Sequence, residues 1–123
     1  MNKSRLILFA HGSRDPRWRK PFEVLSSNMA TELGADCVRL AYLEMFRPTL
    51  FDIATEAVRD GFLHLRVLPL FLSAGAHVAE DIPTQVAEAQ TMYPQLHIEV
   101  VPPVGEHPSV VSAIEAIARE ALR

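Results

Sequence analysis

The chain contains one cysteine, Cys37. A lone thiol closes no internal disulfide and supplies neither a four-cysteine zinc site nor an iron–sulfur cluster. It sits in the apolar run Cys37-Val38-Arg39-Leu40-Ala41-Tyr42-Leu43, which predicts a buried, inert thiol. Long hydrophobic runs are missing too: no stretch approaches the roughly 20 apolar residues of a membrane span. The five-residue run after Met1-Asn2-Lys3-Ser4-Arg5 is too short for the core of a secretion signal. Neither charge sign dominates, with 12 Lys and Arg against 15 Asp and Glu and a net charge of −3. That balance gives no surface-wide attraction for nucleic acid. A Walker-type phosphate loop is also absent, so no nucleotide requirement is expected. With 49% apolar and 22% charged residues the composition is ordinary for a globular protein. The expectation is one soluble, cytoplasmic domain spanning residues 1–123, with no membrane association.

What is present alternates. Apolar strand-like runs at about 5–10, 37–43, 64–70 and 96–101 are each followed by a helical pattern. The first helix begins within 17–21 and carries Phe22, Leu25, Met29 and Leu33 on one stripe before Gly34 stops it. The second opens at Pro48 and ends before Gly61. The third starts near Asp81-Ile82-Pro83, with Ile82, Val86, Ala89 and Tyr93 sharing a face. The fourth begins at Pro108 and turns Val110, Ile114, Ile117 and Ala121 inward. Four βα units force a parallel sheet with right-handed crossovers and helices on both faces. The predicted fold is flavodoxin-like α/β with strand order 2-1-3-4. Pro69 must then stand near the end of its strand, because it cannot donate to a central ladder.

Two histidines stand out within this pattern. His11 follows the run Leu6-Ile7-Leu8-Phe9-Ala10, and His77 closes the segment after Val67-Leu68-Pro69-Leu70-Phe71-Leu72. Ligands of open α/β sheets bind beyond the carboxyl ends of the strands, and both imidazoles are delivered to that edge. Strands 1 and 3 are neighbours in the predicted order, so the pair suggests a divalent transition metal. Asp15 and Asp81 each lie four residues further on, just ahead of a proline, and read as helix starts rather than as carboxylate partners. Glu44 ends strand 2 among apolar neighbours; it is open to a role as proton acceptor or metal ligand, or to a salt bridge with Arg47. Arg14, Arg17, Arg19 and Lys20 crowd the start of helix 1, where cations oppose the macrodipole, and suggest an anion site. Trp18 and Phe46 near the same edge offer flat apolar surface. His107 is open to capping helix 4 or facing the edge, while His64 and His97 begin strands at the opposite edge.

Four strings, in order, resemble the class II chelatases, in particular their small single-domain sirohydrochlorin members. They are Leu8-Phe9-Ala10-His11-Gly12-Ser13-Arg14-Asp15-Pro16, Leu43-Glu44 through Pro48, Pro69 through Pro83, and Gly105-Glu106-His107-Pro108. The resemblance implies insertion of Co²⁺ or Fe²⁺ into sirohydrochlorin on the way to cobalamin or sirohaem, with His11 and His77 contacting the metal and Glu44 as strand-end carboxylate. It implies a homodimer that assembles a cleft which larger relatives build from two domains. No tightly bound cofactor is expected, the metal being substrate; the ligand types do not separate Co²⁺, Fe²⁺ and Ni²⁺. Ser13, Arg14, Arg17 and Phe46 are the candidate substrate-binding residues. No histidine- or cysteine-rich metal store is expected. A histidine phosphatase also uses a strand-end histidine motif, but its motif begins with arginine at the position that Ala10 occupies in this chain. A non-catalytic metal carrier or tetrapyrrole-binding protein would share every binding residue, and turnover alone separates it from a chelatase.

Overall fold

A computed structural model describes residues 3–123. The elements are β1 (Ser4–Ala10), α1 (Pro16–Leu33), β2 (Val38–Tyr42), α2 (Leu50–Asp60), β3 (His64–Pro69), α3 (Ala76–Met92), β4 (His97–Val100) and α4 (Pro108–Ala121), with 3-10 turns at Ala35–Cys37 and Val104–Glu106. The four strands form one parallel sheet in the order β2-β1-β3-β4, as the alternation predicts. Among the described residues, no helix is long and apolar enough to cross a membrane.

Side-chain alternation along the strands determines where the core lies. Ile7 and Phe9 of β1, Ala41 of β2 and Leu65 and Val67 of β3 are fully buried on one face. There they pack with Leu50, Ile53, Ala54 and Ala57 of α2 and with Ile82 and Ala89 of α3. The other face is covered by α1 over β2, where Trp18 contacts Phe22 and Tyr42. Pro69 is the last residue of β3, and the next ladder bond comes from Leu70 N–H to the Phe9 carbonyl (2.8 Å). The missing proline donor therefore falls where pairing is already ending.

Three helices depart from expectation. Helix α2 starts at Leu50 rather than Pro48, because Thr49 and Asp52 form a capping box; Pro48 lies outside, after a cis peptide bond with Arg47. Helix α3 starts at Ala76, five residues before the expected Asp81, with Gly75 as its N-cap. Pro83 lies inside the helix on its exposed side, while Ile82 anchors the core face. The third departure is α4, which begins at Pro108 as expected but has no buried residue. Of its expected inward stripe only Val110 is half-buried, and Ile117 is 67% exposed. Cys37 is likewise half-buried rather than buried.

The amino edge is closed by charge. Arg5 is 3% exposed; it donates to Glu56 (2.9 Å) and to the Asp36 carbonyl (2.8 Å), and its guanidinium lies over the Phe62 ring at 3.8 Å. Glu56 also accepts from Arg39 (3.0 Å), so this carboxylate joins β1, β2 and α2. At the opposite end of α2, the Arg47 guanidinium lowers the Asp52 pKa to about 2 through paired hydrogen bonds, with Thr49 adding to the effect. A depressed carboxyl pKa stabilises the fold above the unfolded value of 3.8, and the contribution disappears as pH falls through about 2. Asp52→Asn is therefore expected to cost about 1 kcal/mol at pH 7, typical of a lost cap. Urea denaturation should show the gap between variant and wild type closing between pH 4 and pH 2.

Candidate metal and substrate site

The backbone ladder continues past the strands at the carboxyl edge. Leu43 N–H donates to the Ala10 carbonyl (2.9 Å) and Glu44 N–H to the His11 carbonyl (3.0 Å), so the exits of β1 and β2 stay zipped together. Gly12 then adopts φ +115°, and a Cβ there would collide with the Glu44 carbonyl. Only glycine meets both demands. The chain turns at once into α1: Asp15 N–H donates to Ser13 Oγ (3.0 Å), and the Asp15 carboxylate accepts from Arg17 N–H (2.9 Å) as the helix cap. Asp15 is thus the helix start the sequence suggests.

This frame presents His11 48% exposed, with Nε2 3.7 Å from Glu44 Oε1. That separation is too long for a direct hydrogen bond. The ring meets Phe71 edge-on, with centroids 6.4 Å apart. Glu44 does not pair with Arg47, whose guanidinium is held by Asp52. His77 lies in the first turn of α3, not in a loop, and is 70% exposed. Its Nε2 is 3.0 Å from Asp81 Oδ2, one turn further along. Asp81 is therefore a carboxylate partner and not the helix cap that its position before a proline suggests. The early start of α3 is the physical reason, since it places residues 77 and 81 on one helical face. Each imidazole has its own carboxylate, but among the described residues no three His, Cys, Asp or Glu side chains converge on one point.

The basic cluster divides. Arg17 is paired with Asp15 (3.0 Å) while remaining largely in solvent, and this pairing, with the Arg17 N–H, lowers the Asp15 pKa. Arg19 turns inward, with the Glu23 carboxylate 3.9 Å away one helical turn on. It donates to the carbonyls of Ser13 (3.2 Å) and Arg14 (2.8 Å), and its guanidinium covers the Phe46 ring at 3.6 Å. It thereby ties the loop after β1 to the loop after β2, where Met45 takes a left-handed φ of 69°. Arg14 and Lys20 are exposed, and among the described residues their side chains have no ion pair. Phe46 is 38% exposed and stands at right angles to the Tyr42 ring, with centroids 5.6 Å apart. Trp18 is half-buried against Phe22 and Tyr42 instead.

Sequence reasoning misses Gln85, which donates to the Leu43 carbonyl (2.9 Å) and fastens α3 to the exit of β2. Glu44, Asp81 and Gln85 share the lining of a cleft of about 420 Å³ between α2 and α3. Its only sequence signal is the four-residue spacing His77, Asp81, Gln85, legible once the helix is known to start at Ala76. His107 caps α4, its Nδ1 accepting from Ser109 N–H (3.1 Å). His64 and His97 meet edge to face across β3 and β4 at the opposite edge.

Known proteins resemble this chain in sequence and in fold. Sirohydrochlorin ferrochelatase from Bacillus subtilis is 26% identical over 91% of this chain, which spans 43% of that relative's length. Sirohydrochlorin cobaltochelatase from Sulfolobus acidocaldarius is 29% identical over 95% of this chain and 91% of its own length. Among solved structures, the CbiX protein from Marinobacter aquaeolei superposes with a TM-score of 0.85 at 32% identity, covering 97% of this chain and 94% of that one. The sirohydrochlorin chelatase SirB of Bacillus subtilis subspecies spizizenii, solved with cobalt, gives a TM-score of 0.82 at 27% identity, covering 96% of this chain and 50% of that one. The family model for CbiX matches residues 5–121, and with that match over nearly its whole length the chain belongs to the CbiX family.

Proposed function

We propose that this chain is a single chelatase domain that works as a cytoplasmic homodimer and inserts Co²⁺ or Fe²⁺ into sirohydrochlorin without nucleotide. The observation that carries this reading is the pair of exposed imidazole–carboxylate couples, His11 with Glu44 and His77 with Asp81, at the carboxyl edge of one sheet. The relatives named as sirohydrochlorin chelatases support it, one of them matched over nearly its full length.

Insertion exchanges two pyrrole N–H protons for one M²⁺, which trades protein and water ligands for four ring nitrogens. The protein must hold the ion weakly enough to release it. Two imidazoles on separate elements suit a borderline ion better than thiolates would. In this reading His11 and His77 guide the ion to one macrocycle face, and the freed protons leave through the imidazoles. Glu44 is an auxiliary base beside His11, and Asp81 holds the His77 ring in place. Arg14 and Lys20 bind the peripheral carboxylates, joined by Arg17 when it leaves Asp15. Ser13 shapes the turn beneath them, and Phe46 offers a ring face to the macrocycle.

The deciding experiment is an anaerobic absorbance assay with sirohydrochlorin and, separately, Co²⁺, Fe²⁺ and Ni²⁺. Enzyme-dependent conversion above the spontaneous rate is expected, whereas tight binding without acceleration would make the protein a carrier. His11→Ala and His77→Ala should each lower kcat by at least about 100-fold, the scale of a lost acid–base group, with circular dichroism unchanged. Near-normal turnover in both variants would overturn the roles of the two imidazoles. Asp81→Asn should act more mildly, at about 10- to 100-fold in metal affinity. Gly12→Ala should behave differently from the histidine variants. It is expected to lose activity and more than about 1 kcal/mol of stability together, because the left-handed turn and the Glu44 carbonyl exclude a methyl group.

A further inference from the structure

The histidines of this chain fall into two pairs and a cap. His11 and His77 stand at the carboxyl edge, His107 caps α4, and His64 and His97 open β3 and β4 at the amino edge. The last two have no part in the insertion reaction. β3 is six residues long, so about 20 Å of strand separates its two ends.

Register brings this second pair together. His64 and His97 are partners on adjacent parallel strands, followed by Leu65 with Ile98 and then Arg66 with Glu99. Side chains alternate across a sheet. Leu65 and Ile98 are buried in the core against α2 and α3, so the two imidazoles and the Arg66–Glu99 pair project from the other side. Arg5 is in register with Leu65 and closes the amino edge on the core side. On the imidazole side His97 is exposed and His64 half-buried. Arg66 lies 3.4 Å from the Glu99 carboxylate, which balances the cation beside the two rings.

The rings themselves have the spacing of a chelate. Their planes cross at 65°, with centroids 5.3 Å apart. An ion bound about 2.1 Å from one nitrogen of each ring, at a near-tetrahedral angle, sets two imidazole centroids roughly 5 Å apart. The backbone that carries them is already fixed. His97 N–H donates to the Leu63 carbonyl (2.9 Å), and Val101 N–H at the far end of β4 donates to the Val67 carbonyl (2.9 Å). Binding an ion there orders two side chains and no loop, which keeps the entropy cost low.

We propose that His64 and His97 form a second transition-metal site, which holds a divalent borderline ion through two imidazole nitrogens and water. Such an ion is held rather than transferred, because the macrocycle site lies at the other end of the strands. It also clasps β4, a four-residue strand at the edge of the sheet, to its neighbour. Imidazole pairs favour Ni²⁺ and Cu²⁺ over Co²⁺ and Fe²⁺, and oxygen-seeking Mg²⁺ and Ca²⁺ are excluded.

The test is a calorimetric titration of Ni²⁺ into the metal-stripped, tag-free chain carrying His11→Ala/His77→Ala. Of the histidines that remain, His107 is committed to the α4 cap. One Ni²⁺ per chain should bind. Adding His97→Ala, or separately His64→Ala, should weaken binding at least about tenfold, since a chelate needs both rings. His97 is exposed, so its variant should keep its circular dichroism and decides the matter even if His64→Ala unfolds. Ni²⁺ at a hundred times its dissociation constant should raise Tm by about 5–10 °C, and His97→Ala should abolish the rise. In NMR spectra, Ni²⁺ should broaden the imidazole signals of His64 and His97 before that of His107. No binding to His11→Ala/His77→Ala, or binding that survives His97→Ala, would overturn the site. Broadening centred on His107 would overturn it as well.

Discussion

The close approach of Gly12 to the Glu44 carbonyl is the constraint on which the site depends. Two strands that exit a parallel sheet side by side normally diverge as their loops begin. In this chain the ladder runs on through the bonds from Leu43 to Ala10 and from Glu44 to His11, and Gly12 lets the two backbones touch. As a result a histidine and a glutamate 33 positions apart stand 3.7 Å apart at the mouth of the sheet. Arg19 reinforces the junction from α1 by binding two carbonyls of one loop and covering a ring of the other.

The two edges of the sheet treat charge in opposite ways. At the amino edge Arg5 is buried and its guanidinium is matched by Glu56, the Asp36 carbonyl and the Phe62 face. Removing any partner there would strand a buried charge, which is a structural demand. At the carboxyl edge the imidazoles of His11 and His77 remain largely in solvent, each beside one carboxylate. Such groups can take a ligand without first dismantling the core. The asymmetry separates the end that holds the fold together from the end left open to a ligand.

Much of this is legible in the sequence, and the failures share one cause. Strand runs, strand order, the Asp15 cap and the strand-end positions of His11 and Glu44 follow from short-range pattern and from the handedness of βα units. Helix α3 misleads because Asp-Ile-Pro has the composition of a helix start, yet Ile82 packing against the core carries the helix through Pro83. Asp81 is misread with it. Arg19 looks like one more cation in a cluster; only the folded loops show two carbonyls and an aromatic ring waiting for it. The stripe of α4 is apolar, as its spacing says, but the side it faces depends on a connector pinned to the far end of β3.

By itself the sequence determined the alternating βα architecture, the parallel sheet and the delivery of two imidazoles to one edge, because hydrophobic period and chain handedness act locally. Tertiary structure alone decided which carboxylate serves which histidine, which arginine is turned inward and where α4 points. Those outcomes depend on groups far apart in the chain meeting at a few ångströms, and no local pattern encodes such a distance.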